Sequence, residues 1–314
     1  MADLRVGFIG IGVMGRPMSL NLRKAGFPVT VYSRRRETAE PVLAAGATWA
    51  DSPRAVAEAS DIVITMVTSS PDVQQVVLGA NGVLEGAHQG MIIADMSTIA
   101  PVVAQNAAAT AAERGVPMLD APVSGGSQGA EAGTLTIMAG GDRAVFDHCR
   151  PVFEAMGKHE NIFYVGPSGT GQVVKLINQH LCGVIAAADA EAFILGVKAG
   201  ADVATMARII GASSGGNWQL ANPIALRAFT GTFEPGFFTD LLLKDLNLVL
   251  ELAEQYEVDT PLARMSRAMY ERAVEAGLGR RDYTSVFLEL EKEAGVQVRL
   301  SNGNTDGADG ADNA

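Results

Sequence analysis

Two stretches carry residue types suited to chemistry. In VGFIGIGVMGRPM a β-type run leads directly into Gly10, Gly12 and Gly15, with Ile11, Val13 and Met14 between them and a helical pattern after them. Gly10 permits a tight turn, Gly12 lets backbone N–H groups approach a pyrophosphate, and Gly15 allows close helix packing with the anion at the positive helix end. This is the dinucleotide fingerprint, in the strand, loop and helix context it needs. The second stretch, GTGQVVKLINQ at 169–179, sets one lysine, Lys175, among apolar residues near the start of a run that stays apolar to about Gly196. Lysine is seldom buried unless it is paired or employed.

A unit with this fingerprint reads its cofactor at the end of the second strand, where an Asp or Glu about 20 residues on holds the ribose 2′-hydroxyl of NAD. That place reads VYSRRRE. The acid is missing, while Ser33 and Arg34, with Arg35 or Arg36, offer donors suited to a 2′-phosphate. NADP is therefore the expected cofactor and NAD the alternative. A solvated, basic helix start is the plainer account of the same arginines.

The elements that must position these residues alternate. RVGFIG, PVTVYS, DIVITMV and GMIIADM read as strands, and PMSLNLRKAG, ETAEPVLAAG and PVVAQNAAATAAERG as the helices between them. VPMLDAPV, LTIMAGG and NIFYVG add strand signals, and Met14, Met18, Leu22 and Ala25 share one face of the first helix. The pattern predicts right-handed β-α-β units and a parallel sheet covered on both faces, an α/β Rossmann-type domain over residues 1–166. From 167 to 300 apolar residues recur at helical spacing, which predicts an all-α domain. Its longest element, about Gln172 to Ala199, would run roughly 40 Å and link the two domains. The tail 301–314, SNGNTDGADGADNA, lacks large apolar residues and is expected to be disordered.

A chain of 314 residues, 48% of them hydrophobic, can bury a large core in two domains. Its formal charge of −11 argues against a nucleic-acid partner. Cys149 and Cys182 make no metal-ligand or redox spacing, so no metal is expected, and a reducing cytosol fits. The charged start MADLRVGFIG does not read as a signal peptide. Asn178, Gln179, His180, Asp189 and Glu191 interrupt the apolar run after Lys175, which reads as a helix buried in protein rather than a membrane span. Such a helix needs more partners than one small domain provides, so a homodimer or homotetramer is expected.

Five stretches in order, GFIGIGVMGRPMSLNL, DMSTIAP, DAPVSGG, GTGQVVKLINQ and GFFTDLLLKDL, resemble the β-hydroxyacid dehydrogenases, from about Arg5 to about Val298. That family includes 3-hydroxyisobutyrate dehydrogenase and 2-hydroxy-3-oxopropionate (tartronate semialdehyde) reductase. The resemblance implies an NAD(P)-dependent oxidoreductase that interconverts a small 3-hydroxy acid and its semialdehyde in a cleft between two domains. SSGGNW and NPIALRA lean towards the first member and KLINQ towards the second. A lysine at 175 argues against the imine-reducing relatives, and the lack of a His-Asn pair after it argues against 6-phosphogluconate dehydrogenase.

By the same resemblance the catalytic lysine falls on Lys175, an ammonium that donates a proton to the substrate oxygen and serves as base in reverse. A structural lysine whose head reaches water is the competing reading. Asn178 and Gln179 lie three and four residues on, share its face and can orient substrate or lysine. The family commonly has Asn at both places, so Gln179 departs from the usual substrate contact. The substrate-carboxylate site falls on Ser124, Gly125 and Gly126, a nest of backbone N–H groups or else a flexible turn. Thr98 falls on the nicotinamide side, and Val67 and Thr68 along the dinucleotide, although both stretches also suit helix caps. Lys244 matches a lysine that closes over the cofactor, with Asp245 to hold it, or else belongs to a surface charge pair. Trp218 and Phe237 are candidates for the pocket wall or for core. A catalytically silent NADP-binding protein that senses or oligomerises is the rival function.

Overall fold

The structure, a computed structural model, describes residues 4–300. The expected tail 301–314 lies outside the described residues. The chain divides into two compact units, one reaching Asn178 and the other starting at Gln179.

Among the described residues nine strands form the sheet of the first unit: β1 (Val6–Ile9), β2 (Val29–Tyr32), β3 (Thr48–Trp49), β4 (Ile62–Thr65), β5 (Ile92–Asp95), β6 (Met118–Asp120), β7 (Val123–Ser124), β8 (Leu135–Gly140) and β9 (Gly157–Gly166). Their order is β3-β2-β1-β4-β5-β6-β8-β7, with β9 on β8. The six strands from β3 to β6 are parallel, as the alternation predicts. Beyond them the sheet is mixed, a correction to the all-parallel expectation, because β8 runs antiparallel to both β6 and β7. Only β7 and the helix Gly126–Ala132 separate β6 from β8. A seven-residue helix, about 10 Å long, is too short to carry the chain back over the sheet, so β8 returns in the opposite sense.

The parallel strands bury both faces, which is why they read as continuous apolar runs. Val6, Phe8, Ile62, Ile64, Ile92 and Ala94 enter one core with Met18 and Leu22 of the helix Gly15–Lys24. Ile9, Val63 and Ile93 enter the other with Val73, Ala104 and Ala107. Ala25, expected to share a face of that first helix with Met14, Met18 and Leu22, is instead its exposed C-cap, since the helix ends at Lys24 before the turn at Gly26.

The second unit is helical. The helices Val203–Gly211, Thr239–Gln255, Pro261–Ala273 and Val286–Ala294 and the wider π-type turns of Leu220–Ala228 enclose Phe193, Phe229, Leu242, Leu246, Tyr270 and Phe287. The Phe193 and Phe229 rings lie 4.8 Å apart. The helix Thr170–Lys198 begins two residues before the expected start. It is the one described helix long and apolar enough to cross a membrane by length and composition. It also buries Gln172, Lys175, Gln179 and Asp189.

Candidate active site

Strand order reverses between β1 and β4, which lie side by side while their chain neighbours go to opposite edges. Ligands of open α/β sheets bind outside the carboxyl ends of the strands at such a point. The glycine loop sits there. Gly10 has φ +100, and a Cβ on it would meet the Met66 carbonyl oxygen at 2.2 Å; a Cβ on Gly15 would meet the Gly10 carbonyl oxygen at 2.0 Å. Packing thus accounts for both. Gly12 is different, because a Cβ there would meet nothing within 4 Å. The protein leaves a space beside Gly12 that it does not itself use, as a pyrophosphate cradle requires. The helix Gly15–Lys24 has no side-chain cap and no acid in its first turn, so its end suits an anion. Ile11 is buried beneath the loop, Met14 half-buried, and Val13 exposed above it.

Past β2, Ser33 Oγ accepts a hydrogen bond from Thr38 Oγ1 at 3.2 Å, and Arg34 reaches Asp72 at 3.4 Å while remaining exposed. Arg35 is exposed as well, and Arg36 lies 5.0 Å over the Trp49 ring. All three arginines are exposed at the end of β2. Val67 follows β4 and is half-buried, its N–H donating to Ser97 Oγ at 2.9 Å, whereas Thr68 is exposed.

A polar row crosses the carboxyl edge of the sheet, since Thr65 pairs in register with Asp95 and Asp95 with Asp120. Asp95 Oδ1 accepts from Thr65 Oγ1 at 2.7 Å and from the Ser97 N–H at 3.2 Å. Burial pushes Asp95 up to about 6, against the pull of Ser97 and Thr65, with Asp120 adding to the rise. Burial also pushes Asp120 up to about 6, opposed by the backbone N–H groups of Gly169 and Gln172. Those N–H groups donate to its two oxygens at 2.6 and 3.0 Å. Gly140 and Gly171 make room for this carboxylate, as a Cβ on either would lie 2.8 Å from it.

Asp120 therefore holds the start of the helix that carries Lys175. Lys175 is 7% exposed. The helix turns Gln179 inward with it, while Asn178, expected on the same face, is exposed. Four residues past Asp120, Ser124 is half-buried, followed by Gly125 at φ +132 and Gly126 at φ +61. Glycine alone takes two such conformations in succession without strain, so Ser124 borders bare backbone.

In the second unit Gln179 Nε2 donates to Asp245 Oδ2 at 2.7 Å, and Lys244 Nζ forms an ion pair with Asp245 Oδ1 at 2.9 Å. Asp245 is buried, so this is no surface charge pair. Phe237 is half-buried with its ring edge-on to Tyr283 at 6.1 Å. Trp218 is 70% exposed.

Sequence reasoning passed over Asp95, Ser97, Asp120 and Gln172. Their signal was present, for Asp95 and Asp120 are charges ending apolar strand runs, and buried charges are rare without a task. Gln172 stands three residues before Lys175, on the same helix face.

Residues 5–166 match the family described as the NAD binding domain of 6-phosphogluconate dehydrogenase. Residues 169–290 match the family described as NAD-binding of NADP-dependent 3-hydroxyisobutyrate dehydrogenase. The chain is 41% identical over 296 residues to 2-(hydroxymethyl)glutarate dehydrogenase of Eubacterium barkeri, covering 94% of this chain and 98% of that protein. It is 40% identical over 292 residues to the NAD-dependent L-serine dehydrogenase of Pseudomonas aeruginosa, covering 90% and 96%. Among solved structures, Mycobacterium tuberculosis 3-hydroxyisobutyrate dehydrogenase with L-serine superposes with a TM-score of 0.84 at 32% identity, covering 91% of this chain and 99% of that one.

Proposed function

The chain belongs to the β-hydroxyacid dehydrogenases, NAD(P)-dependent oxidoreductases, and we propose that it oxidises a primary alcohol β to a carboxylate, or reduces the matching semialdehyde, with Lys175 as general acid and base. The observation that carries this reading is a lysine buried to 7% exposure on a helix whose first turn is bonded to the carboxyl edge of a dinucleotide-binding sheet. The substrates in the relatives' names, 2-(hydroxymethyl)glutarate, L-serine and 3-hydroxyisobutyrate, share one unit, a hydroxymethyl group on the carbon next to a carboxylate. Substrates of this chain share that unit.

A nicotinamide dinucleotide, when bound, supplies or accepts the hydride. Gly10, Ile11, Gly12, Val13, Met14 and Gly15 would hold its pyrophosphate, Val67, Thr68 and Thr98 would contact it further along, and Lys244 is a further candidate contact. Ser33, Arg34 and Arg35 favour a 2′-phosphate, hence NADP over NAD. The chain's own chemistry is proton handling. As a neutral amine, Lys175 Nζ takes the hydroxyl proton when the C–O bond becomes a carbonyl; as an ammonium it returns that proton to the carbonyl oxygen in the reverse direction. Ser124, Gly125 and Gly126 would hold the carboxylate; Asn178, Gln179, Trp218 and Phe237 are further candidates for substrate contact.

In this reading residues 1–166 bind the dinucleotide and 167–300 form a helical substrate and oligomerisation domain in a cytoplasmic homodimer or homotetramer. Turnover of short 3-hydroxy acids and semialdehydes with each cofactor tests the reading. Lys175→Ala should lose roughly a thousandfold in kcat while NADPH binding stays within a few-fold. Near-normal turnover by that variant overturns the assignment.

A further inference from the structure

The side-chain amide of Gln172 spans the loop after β5. Its Oε1 accepts the Ile99 N–H at 3.1 Å, and its Nε2 donates to the Ser97 carbonyl oxygen at 2.8 Å. One fully buried side chain thus grips the backbone on both sides of Thr98. The same loop is tied to the loop after β4, where the Val67 N–H donates to Ser97 Oγ at 2.9 Å. Gln172 is itself held, because its own N–H donates to Asp120 Oδ2 at 3.0 Å and Asp120 ends the strand next to β5. Lys175 follows three residues later, so its Cα is displaced by less than one helical turn from the residue that sets the Thr98 loop.

We propose that Gln172 is a positioning residue that locks the backbone around Thr98, and with it the nicotinamide half of the dinucleotide, in register with Lys175. The proposal rests on the reading above, in which Thr98 lies on the nicotinamide side and Lys175 moves the proton. Hydride transfer demands that the nicotinamide, the substrate carbon and the proton donor be aligned within fractions of an ångström. The loop after β5 and the Lys175 helix come from distant parts of the chain, and the double hydrogen bond of Gln172 joins them directly. An amide is suited to this task, since it offers one acceptor and one donor to a backbone that presents one of each. Neither bond involves a titrating side chain.

Two replacements separate positioning from packing. Gln172→Met keeps most of the buried volume and removes both hydrogen bonds, and Gln172→Ala removes both bonds and volume. For each protein, dissociation constants are measured for NADPH and for 2′-phospho-ADP-ribose, which lacks the nicotinamide, and in parallel for NADH and ADP-ribose. The pair that wild type binds more tightly is used. The proposal expects the fragment's constant to stay within twofold, while the fragment-to-dinucleotide ratio falls at least fivefold in both variants. The fluorescence anisotropy of the bound dihydronicotinamide should fall with it. Turnover should drop at least tenfold in kcat with substrate KM little changed, and Met should not rescue it.

A ratio within twofold of wild type in both variants overturns the proposal. So does rescue by Met, which would make Gln172 a packing residue, and so does equal loss of fragment and dinucleotide binding, which would report a damaged fold. The binding measurements do not depend on turnover. If Lys175→Ala stays active while the Gln172 ratios fall as expected, the proton assignment fails and the clamp stands. Absence of dinucleotide binding by the wild type overturns both.

Discussion

Gln179 donates its side-chain amide to the buried carboxylate of Asp245 at 2.7 Å, on the oxygen opposite the one that pairs with Lys244 at 2.9 Å. The longer side chain at 179, a departure from the common family residue, is used to reach this carboxylate. Removing it leaves one carboxylate oxygen in a buried setting without that donor. Gln179→Ala should cost about 1–3 kcal/mol in urea unfolding. A double-mutant cycle with Asp245→Asn should show coupling between the two positions, and strict additivity would refute the link.

Asp95 and Asp120 give stability a defined pH dependence. Each carboxyl rises from 3.8 to about 6 on folding, chiefly through burial. A raised acid is more easily held neutral in the folded state, so its stabilising contribution is complete below the unfolded value and is lost as pH rises through about 6. Per group, roughly 1 kcal/mol should disappear between pH 5 and 7.5. Urea unfolding of wild type and Asp95→Asn across that window should show wild type losing stability relative to the variant with rising pH. A difference that is flat, or of opposite slope, would contradict this.

The glycines of the first loop should separate by cause. Gly12→Ala places a methyl group in open space, so the melting temperature should hold while NADPH affinity falls at least tenfold. Gly15→Ala drives a Cβ to 2.0 Å from the Gly10 carbonyl oxygen and should destabilise the fold by about 1–3 kcal/mol. Calorimetry alongside cofactor titration distinguishes them, and unchanged affinity in Gly12→Ala would remove the pyrophosphate from that space.

Along the helix Thr170–Lys198, Val174, Ile177, Leu181 and Leu195 are exposed, the last to 71%. Apolar side chains repeated on one helix face favour association through that face. Sedimentation at micromolar concentration should show a dimer or tetramer, and Leu181→Glu with Leu195→Glu should shift it to smaller species. A wild-type monomer would refute the assembly.

Much of this protein was legible in the order of its residues. The glycine loop, the alternating strands and the long apolar helix are local patterns, because periodicity and turn chemistry act over a few residues. Lys175 stood out for the same reason, as one charge in an apolar run. Tertiary structure alone decided what the polar residues do for one another. Asp95 and Asp120 become neighbours only through strand pairing, 25 positions apart in the chain but adjacent in register. Gln172 meets the backbone around Thr98 more than 70 residues away. Sheet direction past β6 was likewise hidden, since whether a strand returns parallel or antiparallel depends on how far its connection can reach. Hydrogen bonds between distant segments leave no periodic trace, so the groups that align this site emerge only when the chain is folded.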